Sequence, residues 1–190
     1  MTRPGGPLRG EALQTLAETL DVEATLARLP GLTRDGLRAI LLDAAVAPAD
    51  QPPARGARSV VVYTDGASRG NPGRSGAGVL ITAEDGREIA RHSRFLGQMT
   101  NNMAEYTALL IALKEARNAG ADTITVKSDS ELLVRQINGE YKVKNDALRI
   151  MHQSAMDLLR GFKRWKVTHV RREQNQEADL LANQALDRER

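Results

Sequence analysis

The fold of this chain is decided by the stretch SVVVYTDG at residues 59–66, where a β-branched run ends on an acid and a glycine. Three valines followed by tyrosine and threonine favour a strand, and a continuous apolar run is typical of a strand buried on both faces. The pattern places Asp65 at the predicted end of this strand. Since ligands collect at the carboxyl ends of strands in open α/β sheets, Asp65 is a candidate site residue.

The segments that follow alternate between strand and helix patterns. Residues 76–82 and 88–96 predict two more strands joined by a turn at residues 84–86, which makes three antiparallel strands. Apolar periodicity then predicts helices at 102–117, 131–137, 146–160 and 177–186, with strands at 123–127 and 163–170. This order predicts an α/β fold, a mixed five-stranded sheet flanked by helices.

The chain before residue 58 has a different composition. Leucines at helical spacing predict a small helical segment within residues 1–46, and the Pro-, Gly- and Ala-rich residues 47–57 predict a linker to a main domain at 58–190. All six aromatics of the 190-residue chain lie after residue 62. Residues 1–56 carry six arginines and seven acids, which leaves 21 basic and 17 acidic residues in the remainder. We therefore expect the N-terminal segment to mediate protein contact or dimerisation rather than to bind nucleic acid.

Composition excludes several classes of site. The absence of cysteine removes disulfides, thiolate nucleophiles and sulfur-based zinc sites. No stretch approaches the roughly 18 apolar residues of a membrane span, and four acids lie in the first 30 residues, where a signal peptide would be apolar. We expect a folded cytoplasmic protein without membrane contact, in which oxygen ligands would hold any metal.

Four acids fall at the predicted boundaries of elements. Asp65 and Asp129 end the first and fourth strands, and Glu105 and Asp179 lie in the first turns of two helices. Four carboxylates gathered at one sheet edge would raise one another's pKa unless a divalent ion neutralised them, and magnesium suits such ligands. Each acid alone has a structural alternative. Asp65 suits a turn and Asp129 a helix cap, while Glu105 and Asp179 suit the positive ends of helices.

Four blocks of sequence resemble the signature blocks of type 1 ribonuclease H. They are YTDGASRGNPG at 63–73, TNNMAEY at 100–106, SDS at 128–130 and NQEAD at 175–179, in order over about residues 58–188. By this resemblance the metal-binding, catalytic acids are Asp65, Glu105, Asp129 and Asp179. The implied reaction is endonucleolytic hydrolysis of the RNA strand of an RNA/DNA hybrid, leaving a 5′-phosphate and a 3′-hydroxyl. Two Mg²⁺ ions per site are implied, with Mn²⁺ as a substitute.

The resemblance also implies a set of substrate-binding residues: Gly66, Asn71, Thr100, Asn101, Asn102 and Asn175. In the family such residues contact the backbone and minor groove of the hybrid, where the 2′-hydroxyl distinguishes RNA from DNA. Loop geometry is the structural alternative for Asn71, and helix capping is the alternative for residues 100–102.

One departure from the family pattern concerns the residue that assists the acids. Many members have a histidine about ten residues before the last acid, and His169 has that spacing, but the pattern around it favours a sheet residue. Arg172 is the rival candidate, because residues 172–175 resemble branches in which arginine replaces the histidine. Arginine could stabilise charge on a phosphate but could not shuttle a proton.

The second departure is the absence of a basic protrusion, since only residues 139–145 separate two predicted helices. The basic residues between 160 and 172 are a candidate substitute, while Trp165 among them is expected in the core. Two alternatives to a hybrid ribonuclease stay open. One is a non-catalytic binding or scaffold module of the same fold, and the other is a nuclease of that fold that acts on another duplex.

Overall fold

The computed structural model describes Arg34 and residues 59–188, so the predicted linker and almost all of the predicted N-terminal segment lie outside the described residues. The elements are β1 (Ser59–Gly70), β2 (Gly73–Ala83), β3 (Glu88–Met99), α1 (Asn101–Asn118), β4 (Thr123–Ser128), α2 (Glu131–Ile137), α3 (Asp146–Arg160), β5 (Arg164–His169) and α4 (Gln176–Arg188), with a 3-10 turn at Arg172–Gln174 before α4. The predicted order of strands and helices is confirmed. None of the described helices has the length and apolarity of a membrane span.

The five strands form one mixed sheet in the order β3-β2-β1-β4-β5. β2 is antiparallel to both β1 and β3, whereas β4 runs parallel to both β1 and β5. β1 is therefore the central strand of the sheet. The predicted fold class, a mixed five-stranded sheet flanked by helices, is confirmed.

β1 and β2 are longer than the sequence predicts. β1 continues through Asp65 to Gly70, and β2 already begins at Gly73, so the glycine-rich stretch forms two arms of a hairpin. Asp65 pairs with Gly78 inside the strand, and the prediction that it ends β1 is wrong. Glycines weaken the sequence signal for a strand, yet they keep both backbone hydrogen-bonding groups and extend the ladder here.

Helices cover both faces of the sheet, but unevenly. α1 packs on one face against β1 and β2 and also contacts α3, and α4 packs on the other face against β1, β2 and β3. Val60 and Val62 are fully buried on the α1 face. Val61 and Tyr63 are only partly buried, so the expectation of burial on both faces is wrong for this half of β1. The helix on that side, α4, makes its close contacts further along the hairpin.

Gly78 sets the separation between β2 and α4. A Cβ atom at this position would lie 2.0 Å from the carbonyl oxygen of Ala178 and 2.6 Å from the backbone nitrogen of Ala182. These are backbone atoms of a helix, which cannot move aside as a flexible side chain would. Because Gly78 is the cross-strand partner of Asp65, this contact brings the start of α4 close to Asp65.

Trp165 lies on the edge strand β5, and 36% of its surface is exposed. The expectation of a core position is wrong for this residue, whereas Val167 on the same strand is buried at 4% exposure. β5 pairs with β4 on one side only. Because β5 is an edge strand, part of the Trp165 ring stays accessible to solvent, and the sequence pattern does not show which strand lies at the edge.

Candidate active site

β1 and α1 position the first two acids through a glycine. The backbone N–H of Gly66 donates to Oε2 of Glu105 at 3.1 Å. A Cβ atom at residue 66 would lie 2.2 Å from the backbone nitrogen of Glu105, so only glycine allows α1 to approach the strand this closely. Asp65 and Glu105 are each 6% exposed. Glu105 lies in the second turn of α1, not the first as predicted, because the helix begins one residue earlier at Asn101.

Asp129 follows β4 and is oriented by a buried amide. Nδ2 of Asn175 donates to Oδ1 of Asp129 at 2.7 Å and to the carbonyl oxygen of Thr64 at 3.0 Å. Asn175 is 1% exposed, which makes it a positioning residue in this structure. Ser130 is the N-cap residue of α2, but its hydroxyl makes no capping hydrogen bond, so the capping alternative for this pair lacks that contact.

Asp179 lies in the first turn of α4, as predicted, and forms an ion pair with Arg172. Nη2 of Arg172 donates to Oδ1 of Asp179 at 2.7 Å. The other oxygen, Oδ2, accepts from Nδ2 of Asn183 at 3.3 Å. A cleft of about 320 Å³ lies beside the pair and is lined by Arg172, Glu173, Gln176 and Asp179.

His169 and Arg172 have different positions relative to the acids. His169 is the last residue of β5, pairs in register with Ser128 and is exposed, so it is a sheet residue. Its ring makes no hydrogen bond or ion pair with the part of the chain that the structure describes. Arg172 contacts one of the four acids directly, and it is therefore the better candidate for an assisting residue.

The polar residues before α1 cap the helix. Oγ1 of Thr100, the N-cap residue, accepts from the backbone N–H of Met103 at 3.4 Å. Oδ1 of Asn71 accepts from the backbone N–H of Asn101 at 3.2 Å and so ties the β1–β2 hairpin to the start of α1. The capping alternative is confirmed for Thr100. Asn71, Asn101 and Asn102 are exposed, and their side chains can still reach a ligand.

Electrostatic effects show that the four acids form one cluster. Burial raises the pKa of Asp65 from 3.8 to about 7, the charges of Asp129 and Asp179 raise it as well, and Arg172 opposes them. Burial is also the main cause of the raised pKa of Glu105, followed by the charges of Asp65 and Asp129, against the hydrogen bond from Gly66. Effects of one charge on the pKa of another group at this strength require proximity. The cluster as folded holds more negative charge than its surroundings neutralise.

The composition of this cluster fits a hard divalent metal ion, since all four side chains offer oxygen ligands. As the side chains are placed, however, no three acidic or imidazole groups within residue 34 and residues 59–188 are arranged to hold one ion. Asp129 is turned toward Asn175, and Asp179 is turned toward Arg172. Coordination of a metal ion would therefore require at least these carboxylates to reorient.

The Asp65→Asn variant should be more stable than the wild type at alkaline pH when metal is absent. The pKa of about 7 in the folded state lies above the usual 3.8, so the folded protein holds a proton that the unfolded chain releases. The stability present at low pH is lost as the pH rises through 7, by on the order of 4 kcal/mol at most. The amide avoids this loss, and its unfolding temperature in EDTA should exceed that of the wild type by several degrees at pH 8.

The control for this measurement is Asp85→Asn in the exposed β2–β3 turn, where an equivalent substitution removes no buried charge. At pH 4 the advantage of the Asp65→Asn variant should shrink toward zero. An advantage of the same size at both pH values would contradict the assignment of the effect to Asp65. Added Mg²⁺ should stabilise the wild type more than the variant, because a ligand that binds only the folded state raises its stability.

Comparisons with known proteins agree with the fold. Residues 63–185 match the model of a family described as reverse transcriptase-like. Ribonuclease HI of Halobacterium salinarum is 44% identical over 135 residues, which cover 71% of this chain and 67% of that protein. The crystal structure of ribonuclease H1 from this archaeon superposes with a TM-score of 0.67 at 43% identity, over 68% of this chain and 98% of that one.

Two further relatives extend the comparison. A ribonuclease H1 from compost, solved in complex with an RNA/DNA hybrid, is 39% identical with a TM-score of 0.65 and covers 68% of this chain and 97% of its own. A bifunctional protein of Mycobacterium tuberculosis is 40% identical over 129 residues, 67% of this chain. The match spans only 35% of that protein's length.

Proposed function

This chain belongs to the type 1 ribonuclease H family, and we propose that it cleaves the RNA strand of RNA/DNA hybrids endonucleolytically, leaving 5′-phosphate and 3′-hydroxyl ends. The observation that carries the proposal is the placement of two buried acids, Asp65 and Glu105, close to other acids. The charge of Asp129 raises the pKa of both, and the charge of Asp179 raises that of Asp65. A module that only bound nucleic acid would gain nothing from clustered negative charge facing a polyanion. The complex of the compost relative with a hybrid supports the same substrate.

Mg²⁺, with Mn²⁺ as a substitute, is the proposed cofactor, at two ions per site. Asp65, Glu105, Asp129 and Asp179 would hold the ions, and the raised pKa of Asp65 supports a site that needs added positive charge. When bound, such ions lower the pKa of an attacking water and stabilise the leaving 3′ oxygen. The residues of the chain orient the carboxylates and the substrate.

Two contacts hold the acids in place before any ion arrives. The N–H of Gly66 fixes one oxygen of Glu105, and the buried amide of Asn175 fixes one oxygen of Asp129. The contact to Glu105 preorganises that carboxylate, which matters most where reacting atoms must be placed to within a fraction of an ångström, whereas Asp129 would have to reorient to bind an ion. Arg172, with its side chain 72% exposed beside the cleft, is suited to a phosphate oxygen of the substrate. A catalytic role for His169 stays a prediction.

The proposed substrate surface begins at the start of α1. Asn71, Asn101 and Asn102 are exposed there, and we infer that they contact the backbone and minor groove of the hybrid, where a 2′-hydroxyl marks the RNA strand. The exposed Arg164 and Lys166 of β5 could contribute phosphate contacts in place of a basic protrusion.

The test of this function is a comparison of three labelled duplexes of one sequence, RNA/DNA, RNA/RNA and DNA/DNA, incubated with the full chain and Mg²⁺. We expect cleavage of the RNA strand of the hybrid alone, with products that carry 5′-phosphates. Binding of the hybrid without cleavage would favour a scaffold module. Cleavage of another duplex at an equal or higher rate would favour a different substrate.

A further inference from the structure

The ion pair between Arg172 and Asp179 engages the acid cluster with a cation that belongs to the chain itself. The guanidinium comes from the 3-10 turn Arg172–Gln174, which connects β5 to α4. Its Nη2 lies 2.7 Å from Oδ1 of Asp179, which is a good distance for a charge-assisted hydrogen bond. The structure thus places a positive charge at one of the carboxylates that the proposed function assigns to metal binding.

We propose that Arg172 is a built-in counter-cation, and that Arg172 and a divalent metal ion are alternative partners of the Asp179 carboxylate. This inference rests on the proposed function and adds a control of metal binding to the same site. It has two consequences. Arg172 weakens metal binding in the free protein, and its guanidinium becomes available to a substrate phosphate when metal displaces it.

The contacts of Asp179 support competition at this carboxylate. Oδ1 accepts from Arg172, and Oδ2 accepts a longer hydrogen bond, at 3.3 Å, from the amide of Asn183. A guanidinium and a divalent ion on one carboxylate would repel each other at close range. Asp129 differs, because its partner is the amide of Asn175. This amide is neutral and does not repel a metal ion.

The surroundings of Arg172 allow it to leave. Its side chain is 72% exposed, that of Asp179 is 29% exposed, and the cleft of about 320 Å³ beside them gives the guanidinium room to turn. Exposed ion pairs stabilise proteins only slightly. A divalent ion held by several carboxylates can therefore displace the arginine, at a cost that appears as reduced metal affinity.

The experiment is a calorimetric titration of Mg²⁺, and separately Mn²⁺, into the metal-free full chain without nucleic acid. Arg172→Ala should bind metal about 1.5- to 5-fold more tightly than the wild type, which is the release expected from one partly exposed ion pair. Arg160→Ala is the matched control, since Arg160 is an exposed arginine paired with Asp157 on α3. It removes the same charge and should leave the metal affinity unchanged.

Two further variants test the mechanism of the effect. In an Asp179→Asn background, Arg172→Ala should change the metal affinity much less, because the shared carboxylate is gone and only the longer-range charge effect of Arg172 on Asp65 and Asp129 remains. Arg172→Lys should give an affinity between those of the wild type and Arg172→Ala. In hybrid cleavage, Arg172→Ala should need less Mg²⁺ for half-maximal rate while its maximal rate falls, a split that general destabilisation would not produce.

The inference is overturned if Arg172→Ala and Arg160→Ala bind metal equally, or if the gain is undiminished without Asp179. If the wild type cleaves hybrids and Arg172→Ala binds metal with the wild-type affinity, the counter-cation proposal is refuted and the proposed function stands. A wild type that neither binds metal nor cleaves the hybrid would instead refute the proposed function, and the counter-cation with it.

Discussion

Replacing Asp129 by asparagine is expected to lower the rate of hybrid cleavage at saturating Mg²⁺ by about 10³-fold or more. The amide has the size of the carboxylate and can still accept the hydrogen bond from Asn175, which measures 2.7 Å in the wild type. The fold should therefore persist, while one negative charge at the proposed metal site is lost. A factor of 10³ corresponds to about 4 kcal/mol of transition-state stabilisation, within the several kcal/mol that metal-ion catalysis contributes.

The control is Asp157→Asn on α3, an exposed aspartate that accepts hydrogen bonds from Gln153 and Arg160. This variant should cleave the hybrid at the wild-type rate. Rates should be measured under single-turnover conditions, so that product release does not mask the chemical step. If Asp129→Asn kept more than a tenth of the wild-type rate, Asp129 would not be a metal ligand of the kind proposed.

Gly66→Ala is expected to damage both stability and activity. The added methyl group would lie 2.2 Å from the backbone nitrogen of Glu105 and 2.3 Å from the carbonyl carbon of Ala104, so α1 must move away from β1. Overpacking of this kind costs about 1–3 kcal/mol and occasionally more. Because backbone and not a flexible side chain is in the way, we expect the upper end of that range. Displacing Glu105 by about 1 Å should also lower the cleavage rate roughly 10²-fold.

Chemical denaturation and hybrid cleavage would measure the two effects on the same sample. Gly161→Ala after α3 is the matched control, because the closest atom to its added methyl group is Nη1 of Arg117, the mobile end of a side chain, at 2.9 Å. Its backbone is in the right-handed helical region, with a φ of −76°. This variant should remain within about 1 kcal/mol of the wild type and fully active. An equal loss of stability and cleavage rate in both variants would show that the close contact between Gly66 and α1 is not the cause of the loss.

Most of the secondary structure followed from local pattern, and the errors have a common cause. Helices α2 and α3 have the predicted bounds, because their apolar spacing and their flanking polar residues agree. The extension of β1 through Asp65 and the exposure of Trp165 were missed. Both depend on what lies beside the strand in the sheet, which the order of residues along the chain does not state.

The candidate site likewise contains residues that the sequence identified and contacts that only the structure shows. The sequence blocks identified the four acids, and Arg172 was one of two candidates for an assisting residue. Asn175 was interpreted as a substrate contact, whereas its amide bridges Asp129 and the Thr64 carbonyl in the structure. The residue type allows either role. The two roles are distinguished only by how closely the start of α4 lies to Thr64 of β1 and to Asp129 after β4, which places the Asn175 amide within hydrogen-bonding distance of both.

Some predictions lie beyond what the described residues address. The domain bounds at residues 46, 47 and 57, the protein contact or dimerisation of the N-terminal segment and the cytoplasmic location stay predictions. The basic surplus that the sequence assigns to residues after 56 is compatible with the proposed substrate, since a polyanion is attracted by net positive charge.

By itself, the sequence determined the order of strands and helices, the identity of the four acids and the chemistry open to them, because these depend on residue type and periodicity. The tertiary structure decided how the acids act on one another. Gly66 and Gly78 let two helices approach the sheet from opposite faces, and that approach buries Asp65 among like charges. Close approach is a property of surfaces that meet across long separations in the chain. For that reason the pairing of Arg172 with Asp179 and the raised pKa of Asp65 appear only in the folded molecule.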